Sequence, residues 1–258
     1  KSREVKEGLK RLRIVVDNGD ERMIKLGVLG AGGRMGRRII ELALNDKELE
    51  VILALERKGH YLIGKNIDKV KISSSPDGIF LTEAIIDFTV PEASMENLAY
   101  CLQYKKPLVL ATTGFNEEQT AKIQDAAKSI PIVFSPNMAV GVNLLFGIVG
   151  EIARKLGPGY DIEMVEAHHK AKKDAPSGTA KKLAQVIAND TGRNITVHAI
   201  RAGDIVGDHT IIYAGSGERI EIKHQAHSRD VFALGALKAA KWVANRPAGL
   251  YSMQDVLK

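Results

Sequence analysis

A chain of 258 residues with 45% hydrophobic content is long enough for one large domain or two modest ones, and it excludes general disorder. The formal net charge of +6 would suit a polyanionic partner, yet acidic residues are interspersed throughout and aromatics make up only 5%, which argues against a nucleic-acid or membrane partner. The single cysteine, Cys101, excludes an internal disulfide and reads as a buried core thiol in a reducing, cytoplasmic compartment, with no membrane span or signal peptide visible.

Residues 1–22 stand apart as an N-terminal extension, with seven Lys/Arg and five Asp/Glu. Val5, Leu9 and Leu12 suggest a short amphipathic helix, Arg11 to Val16 a strand, and Asp17-Asn18-Gly19-Asp20 a turn. Asn-Gly between apolar runs ordinarily signals a hairpin. The next strand, however, is expected at the centre of a sheet with both edges taken, so the arm must pack elsewhere. Met23 marks a candidate start of the body of the protein.

From Ile24 strands and helices alternate. Lys25 to Gly30 is a near-continuous apolar strand, and a helix is expected over Arg37 to Leu44. Strands Leu49 to Leu55, Ala84 to Phe88, Pro107 to Ala111 and Pro131 to Phe134 follow, with helices over 92–104 and 117–128 between them. This alternation predicts a doubly wound parallel sheet, Rossmann-like, over residues 23–139. The grammar changes at residue 140. One long helix, Val140 to Leu156, precedes strands at Asp161 to Ala167, Ile195 to Arg201, His209 to Ala214 and Arg219 to Ala226. That pattern predicts an α+β second domain over 140–228 with a mainly antiparallel sheet. Its strands carry apolar residues on both faces (Ile211, Ile212, Tyr213; Ile220, Ile222), so one face is left for a partner subunit. A last helix, Val231 to Ala244, opens a C-terminal segment, 229–258, expected to return to the first domain.

Two places carry chemistry. The loop Gly30-Ala31-Gly32-Gly33-Arg34-Met35-Gly36 joins the first strand to a helix, where glycines let the backbone approach a pyrophosphate. It is G-x-x-G-x-x-G; the strict G-x-G-x-x-G fails at Met35. Glu56 lies far enough beyond it to hold an adenosine ribose, and Arg57 could neutralise a 2′-phosphate. The loops Asp87-Phe88-Thr89, Ala111-Thr112-Thr113 and Ser135-Pro136-Asn137-Met138 follow strand ends, where ligands of such sheets bind. The second place is Glu166 to Ala180, EAHHKAKKDAPSGTA. His168, His169, Lys170, Lys172 and Lys173 offer protons and positive charge beside Ser177-Gly178-Thr179, a predicted helix start whose free amides suit carboxylates.

These pieces in this order resemble the dihydrodipicolinate (4-hydroxy-tetrahydrodipicolinate) reductase family. The resemblance rests on GAGGRMG, Glu56-Arg57, DFT, TTGF, the Asn137 loop, EAHHKAKKDAPSGTA and Arg201-Ala-Gly-Asp-Ile-Val-Gly-Asp-His209. It implies an oxidoreductase that uses NADH or NADPH to reduce 4-hydroxy-tetrahydrodipicolinate, a small cyclic dicarboxylate, in the diaminopimelate route of lysine biosynthesis. It implies catalytic roles for His168 and Lys172, and carboxylate binding by His169, Gly178 and Thr179. Cofactor contacts are implied at Gly30 through Met35, Glu56, Arg57, Ala111 through Thr113 and Ser135 through Met138. It also implies a homotetramer and no metal. Ala111 departs from the family's glycine, and Ser135 and Pro136 from its small residues. Two other readings share the two-domain plan: an amino-acid or aspartate-type dehydrogenase, and a non-catalytic dinucleotide-sensing regulator. The sensor would need neither His168 nor Lys172.

Overall fold

The computed structural model describes residues 22–258. The helix, strand and turn expected within residues 1–21 lie outside the described residues. Eight strands form one sheet in the order β12-β7-β6-β5-β1-β2-β4-β3. They are β1 (Ile24–Leu29), β2 (Leu49–Leu55), β3 (Asn66–Ile67), β4 (Val70–Ser73), β5 (Ala84–Asp87), β6 (Leu108–Leu110), β7 (Pro131–Phe134) and β12 (Gly249–Tyr251). Every pairing is parallel except β3 with β4. β1 is flanked by β2 and β5, so neither edge is free for a hairpin partner.

The helices cover both faces of this sheet. α1 (Arg34–Ala43) and α6 (Asp230–Val243) bury Ile39, Ile40, Ala236, Ala240 and Val243 against Val28, Ile86 and Val109. α2 (Pro91–Gln103) and α3 (Glu117–Ala126) bury Leu98, Cys101 and Ile123 against Ile85, Leu108 and Ile132. Cys101 is therefore a core thiol, its pKa pushed up by burial. The central strands β5, β6 and β7, and β1 from Leu26 onward, bury both faces, which is why they read as apolar runs. β12 and a last short helix, α7 (Met253–Val256), complete the edge beyond β7.

A second sheet has the order β11-β10-β8-β9, from β8 (Asp161–His168), β9 (Thr196–Arg201), β10 (Gly207–Gly215) and β11 (Glu218–Ala226). β10 is antiparallel to β8 and β11, whereas β9 runs parallel to β8 because helix α5 (Gly178–Thr191) makes the crossover between them. α5 and α4 (Val140–Leu156) bury one face, with Leu145, Phe146, Val149, Leu183 and Ile187 packed on Met164, Ile211 and Tyr213.

Two boundaries shift in ways that affect the site. The first helix begins at Arg34 rather than Arg37, so Arg34 and Met35 form its first turn. Gly36 is consequently inside the helix, where a Cβ would collide with the Gly30 carbonyl oxygen. It does the close helix–strand packing that the strict fingerprint gives to its last glycine. β8 runs one residue further than expected and ends on His168 itself.

Candidate active site

The loops at the carboxyl ends of β1, β2, β5, β6 and β7 gather along one edge of the large sheet. Gly30 turns there with φ +78°, a value that favours glycine. Gly33 is the extended N-cap of α1, with no side chain capping the helix and no acidic residue in its first turn. α3, by contrast, has a full capping box from Asn116 and Gln119. An uncapped N-terminus behind a glycine turn fits a phosphate group. The Gly32 amide donates to Glu56 Oε2 at 2.8 Å, which ties the end of β2 to the glycine loop.

Under the β5 and β6 loops lies a polar cluster. The fully buried Asp87 accepts from Thr89 N at 2.9 Å, from Thr89 Oγ1 at 2.6 Å and from Asn97 Nδ2 at 2.9 Å. Ser94 Oγ donates to Thr112 Oγ1 at 2.8 Å, and Thr89 N also reaches Thr112 Oγ1 at 3.1 Å. Burial raises the Asp87 pKa despite these donors. The cluster fixes the Thr89 and Thr112 walls of the cleft.

The histidine segment grows out of β8. Strand alternation puts Ile162, Met164, Glu166 and His168 on one face, apolar over the helices and polar where the face reaches the cleft. Glu166 is fully buried. Its Oε2 meets His168 Nδ1 at 2.5 Å and Arg201 Nη1 at 2.9 Å; its Oε1 accepts from Arg201 Nη2 at 2.7 Å and Ser177 N at 3.1 Å. Burial works against the ionised carboxylate, but Arg201, His168 and Ser177 outweigh it and hold the Glu166 pKa below its ordinary value. His168 shifts down, chiefly through burial, with Lys172 and Arg201 opposing its charge and Glu166 favouring it. Lys172 Nζ pairs with Asp174 at 2.8 Å. Ser177 caps α5 by accepting from Ala180 N, and its hydroxyl meets His209 Nε2 at 3.2 Å.

Both halves of the molecule line one cleft of about 620 Å³. Of the residues expected at the site, it brings together Arg34, Met35, Ala111, Thr112, Thr113, Pro136, Asn137 and Met138 from the first half. From the second come His168, His169, Lys172 and Thr179. The halves also touch directly, since Asn137 Nδ2 donates to Thr179 Oγ1 at 3.0 Å. A neighbouring cavity of about 950 Å³ shares Arg34, His169, Val206 and Arg229 and adds Gly32 and Lys170.

Gly30, Ala31, Gly33, Glu56, Arg57, Ser135 and Gly178 line neither cavity. Ala31 is packed in the core, and buried Ser135 spends its hydroxyl on the Asn137 carbonyl at 2.8 Å. Arg57 and Gly178 are exposed. Sequence reasoning gave no role to Glu166, Arg201, His209 or His224. The two-residue spacing of Glu166 and His168 on a strand was the available signal for the first.

Residues 24–138 match the N-terminal and residues 141–257 the C-terminal domain model of dihydrodipicolinate reductase. The chain belongs to the dihydrodipicolinate reductase family. A 4-hydroxy-tetrahydrodipicolinate reductase from Syntrophobacter fumaroxidans is 43% identical over 265 residues, covering 91% of this chain and 99% of the relative. The chain's activity is accordingly that of a 4-hydroxy-tetrahydrodipicolinate reductase, an oxidoreductase of diaminopimelate and lysine biosynthesis, and the family implies a nicotinamide dinucleotide cofactor. Among solved structures, a dipicolinate-bound dihydrodipicolinate reductase from Paenisporosarcina sp. TG-14 shares the fold with a TM-score of 0.77 at 24% identity, over 90% of this chain and 99% of that one. An aspartate dehydrogenase from Thermotoga maritima has a TM-score of 0.55 at 11% identity, over 88% of this chain and 99% of that one, a likeness of fold alone. No described helix is long and apolar enough to cross a membrane.

Proposed function

We propose that His168 and Lys172 are the proton donors of this reductase, and that His169, Gly178 and Thr179 receive the carboxylates of its cyclic dicarboxylate substrate. The dinucleotide lies along Gly30 to Met35, Glu56, Arg57, Ala111 to Thr113 and Ser135 to Met138. One observation carries this reading: His168, Lys172 and Thr179 share a single cleft with Met35, Thr112 and Asn137. Residues 23–139 and 229–258 then hold the cofactor, while residues 140–228 hold the substrate and the contacts of a homotetramer.

The bound dinucleotide supplies the hydride. The protein's residues supply the rest. Turning the 4-hydroxy substrate into tetrahydrodipicolinate consumes one hydride and one proton and releases the hydroxyl as water. A proton donor beside an anion site serves that balance, because the carboxylates anchor the ring next to the acid. The uncapped start of α1 takes phosphate oxygens. Glu56 accepts from ribose hydroxyls, and exposed Arg57 meets a 2′-phosphate, so both NADH and NADPH are used.

The test is oxidation of NADH and NADPH with freshly generated substrate, compared with oxaloacetate plus ammonia. His168→Gln and Lys172→Ala should each lower kcat by about 10²–10⁴-fold, with cofactor Kd held within about threefold. Rates close to the parent's would sink the assignment. Arg57→Ala should weaken NADPH selectively, by roughly 1.5–3 kcal/mol for a lost charged hydrogen bond. Equal losses for NADH and NADPH in calorimetric titration would show that Arg57 does not read the 2′ position.

A further inference from the structure

We propose that Glu166 is the positioning residue of the proton donor: by taking the hydrogen on His168 Nδ1 it leaves Nε2 as the one ring atom that can receive a proton and pass it into the cleft. The inference rests on His168 being that donor.

Hydrogen-bond bookkeeping at Glu166 carries the argument. Its carboxylate is fully buried and receives three hydrogens that are not in doubt, two from the Arg201 fork and one from the Ser177 amide. Arg201 Nη2 is held in turn by the Asp174 carbonyl at 2.6 Å. A carboxylate surrounded in this way stays ionised and can only accept. The 2.5 Å contact to His168 Nδ1 therefore places the hydrogen on Nδ1. In the neutral ring Nε2 is then bare. It lies over Gly207 at the start of β10, where a Cβ would come within 3.1 Å of Nε2. The glycine keeps that atom clear.

The charges around the ring decide when it gains its proton. Glu166 on its own strand is negative; Arg201 on β9 and Lys172 and His169 in the following loop are positive or can become so. His209 on β10 stands edge-on at 5.3 Å and can add only positive charge. Glu166 is shared with Arg201, so the ring lacks a net negative neighbour until one arrives. A dicarboxylate in the cleft brings two negative charges. The ring then takes up a proton at Nε2, in step with the ligand that will consume it.

The tautomer can be read directly from nitrogen chemical shifts of the ¹⁵N-histidine-labelled enzyme. In the free enzyme at pH 8, His168 should show a protonated Nδ1 and a bare Nε2; added pyridine-2,6-dicarboxylate should protonate both. Calorimetry of the same ligand in buffers of different ionisation enthalpy should show proton uptake. Glu166→Gln should mix the tautomers, abolish the uptake and lower kcat by about 10²-fold, with a shifted pH profile. Arg201→Lys keeps a positive partner and should keep the tautomer. A free enzyme with Nε2 protonated and Nδ1 bare would overturn the proposal, as would a folded Glu166→Gln with unchanged tautomer and uptake. The parent enzyme's spectrum decides the matter even if Glu166→Gln does not fold. The tautomer and proton-uptake readouts do not depend on turnover, so they separate from the His168→Gln assay, which tests the donor role itself.

Discussion

His209 is buried with its Nδ1 unpartnered, and burial, with His168 adding to it, pushes its pKa from 6.5 down to about 4. In the unfolded chain the ring titrates near the higher value. Between pH 6.5 and about 4 the unfolded state therefore holds the extra proton, and stability falls as pH drops through that window. This group can contribute at most about 1.4 kcal/mol per pH unit. His209→Gln should flatten the loss, seen as a smaller difference between urea midpoints at pH 7 and 4.5; an unchanged difference would remove His209 from the acid response. Single residues are also where the sequence was easiest and hardest to read. His168, Lys172 and Thr179 advertise themselves by chemical type and crowding. Glu166 and Arg201 look like ordinary strand residues until pairing of β8 with β9 sets His168 beside Arg201 and turns their side chains to one face. His224 becomes visible only because β11 pairs it with His209.

Elements with many turns or strong apolar runs were legible, and short strands without such a run were not. β3, β4 and β12 are short and partly exposed, whereas the similarly short β5, β6 and β7 are buried almost throughout and stand out as apolar runs. Helix α6 was expected from its pattern, but its part in the site comes from one close approach. A Cβ at Gly235 would collide with the Met138 carbonyl oxygen, so the backbone of α6 lies directly against the loop after β7. Gly235→Ala should displace that loop, destabilise the fold by about 1–3 kcal/mol as overpacking does, and weaken cofactor binding. Thermal melts and cofactor titration would measure both; a variant that matches the parent in each would show that the loop yields without cost.

At the scale of the whole molecule, the outward face of the second sheet carries Val165, Ile200 and Ile212 among charged neighbours, with Ile200 47% exposed. A homotetramer built through this face should give a mass four times the 28.1 kDa chain by light scattering at micromolar concentration, and Ile200→Glu should reduce it. A monomeric parent would overturn that assembly. The two-sheet plan was readable because the alternation of elements changes at residue 140, whereas how the halves touch depends on contacts no pattern encodes. Among these, the bond from Asn137 to Thr179 lies where the chain crosses from β7 into α4. It pins the corner at which the proposed hydride and carboxylate sites meet. If the halves swing apart, they swing about that corner like a book about its spine. The gap then widens at the far margin, between Arg34 and Tyr61 on one cover and Lys170 and Gly203 on the other. Opening of that kind would admit ligands from that margin while changing the spacing at the Asn137–Thr179 corner least.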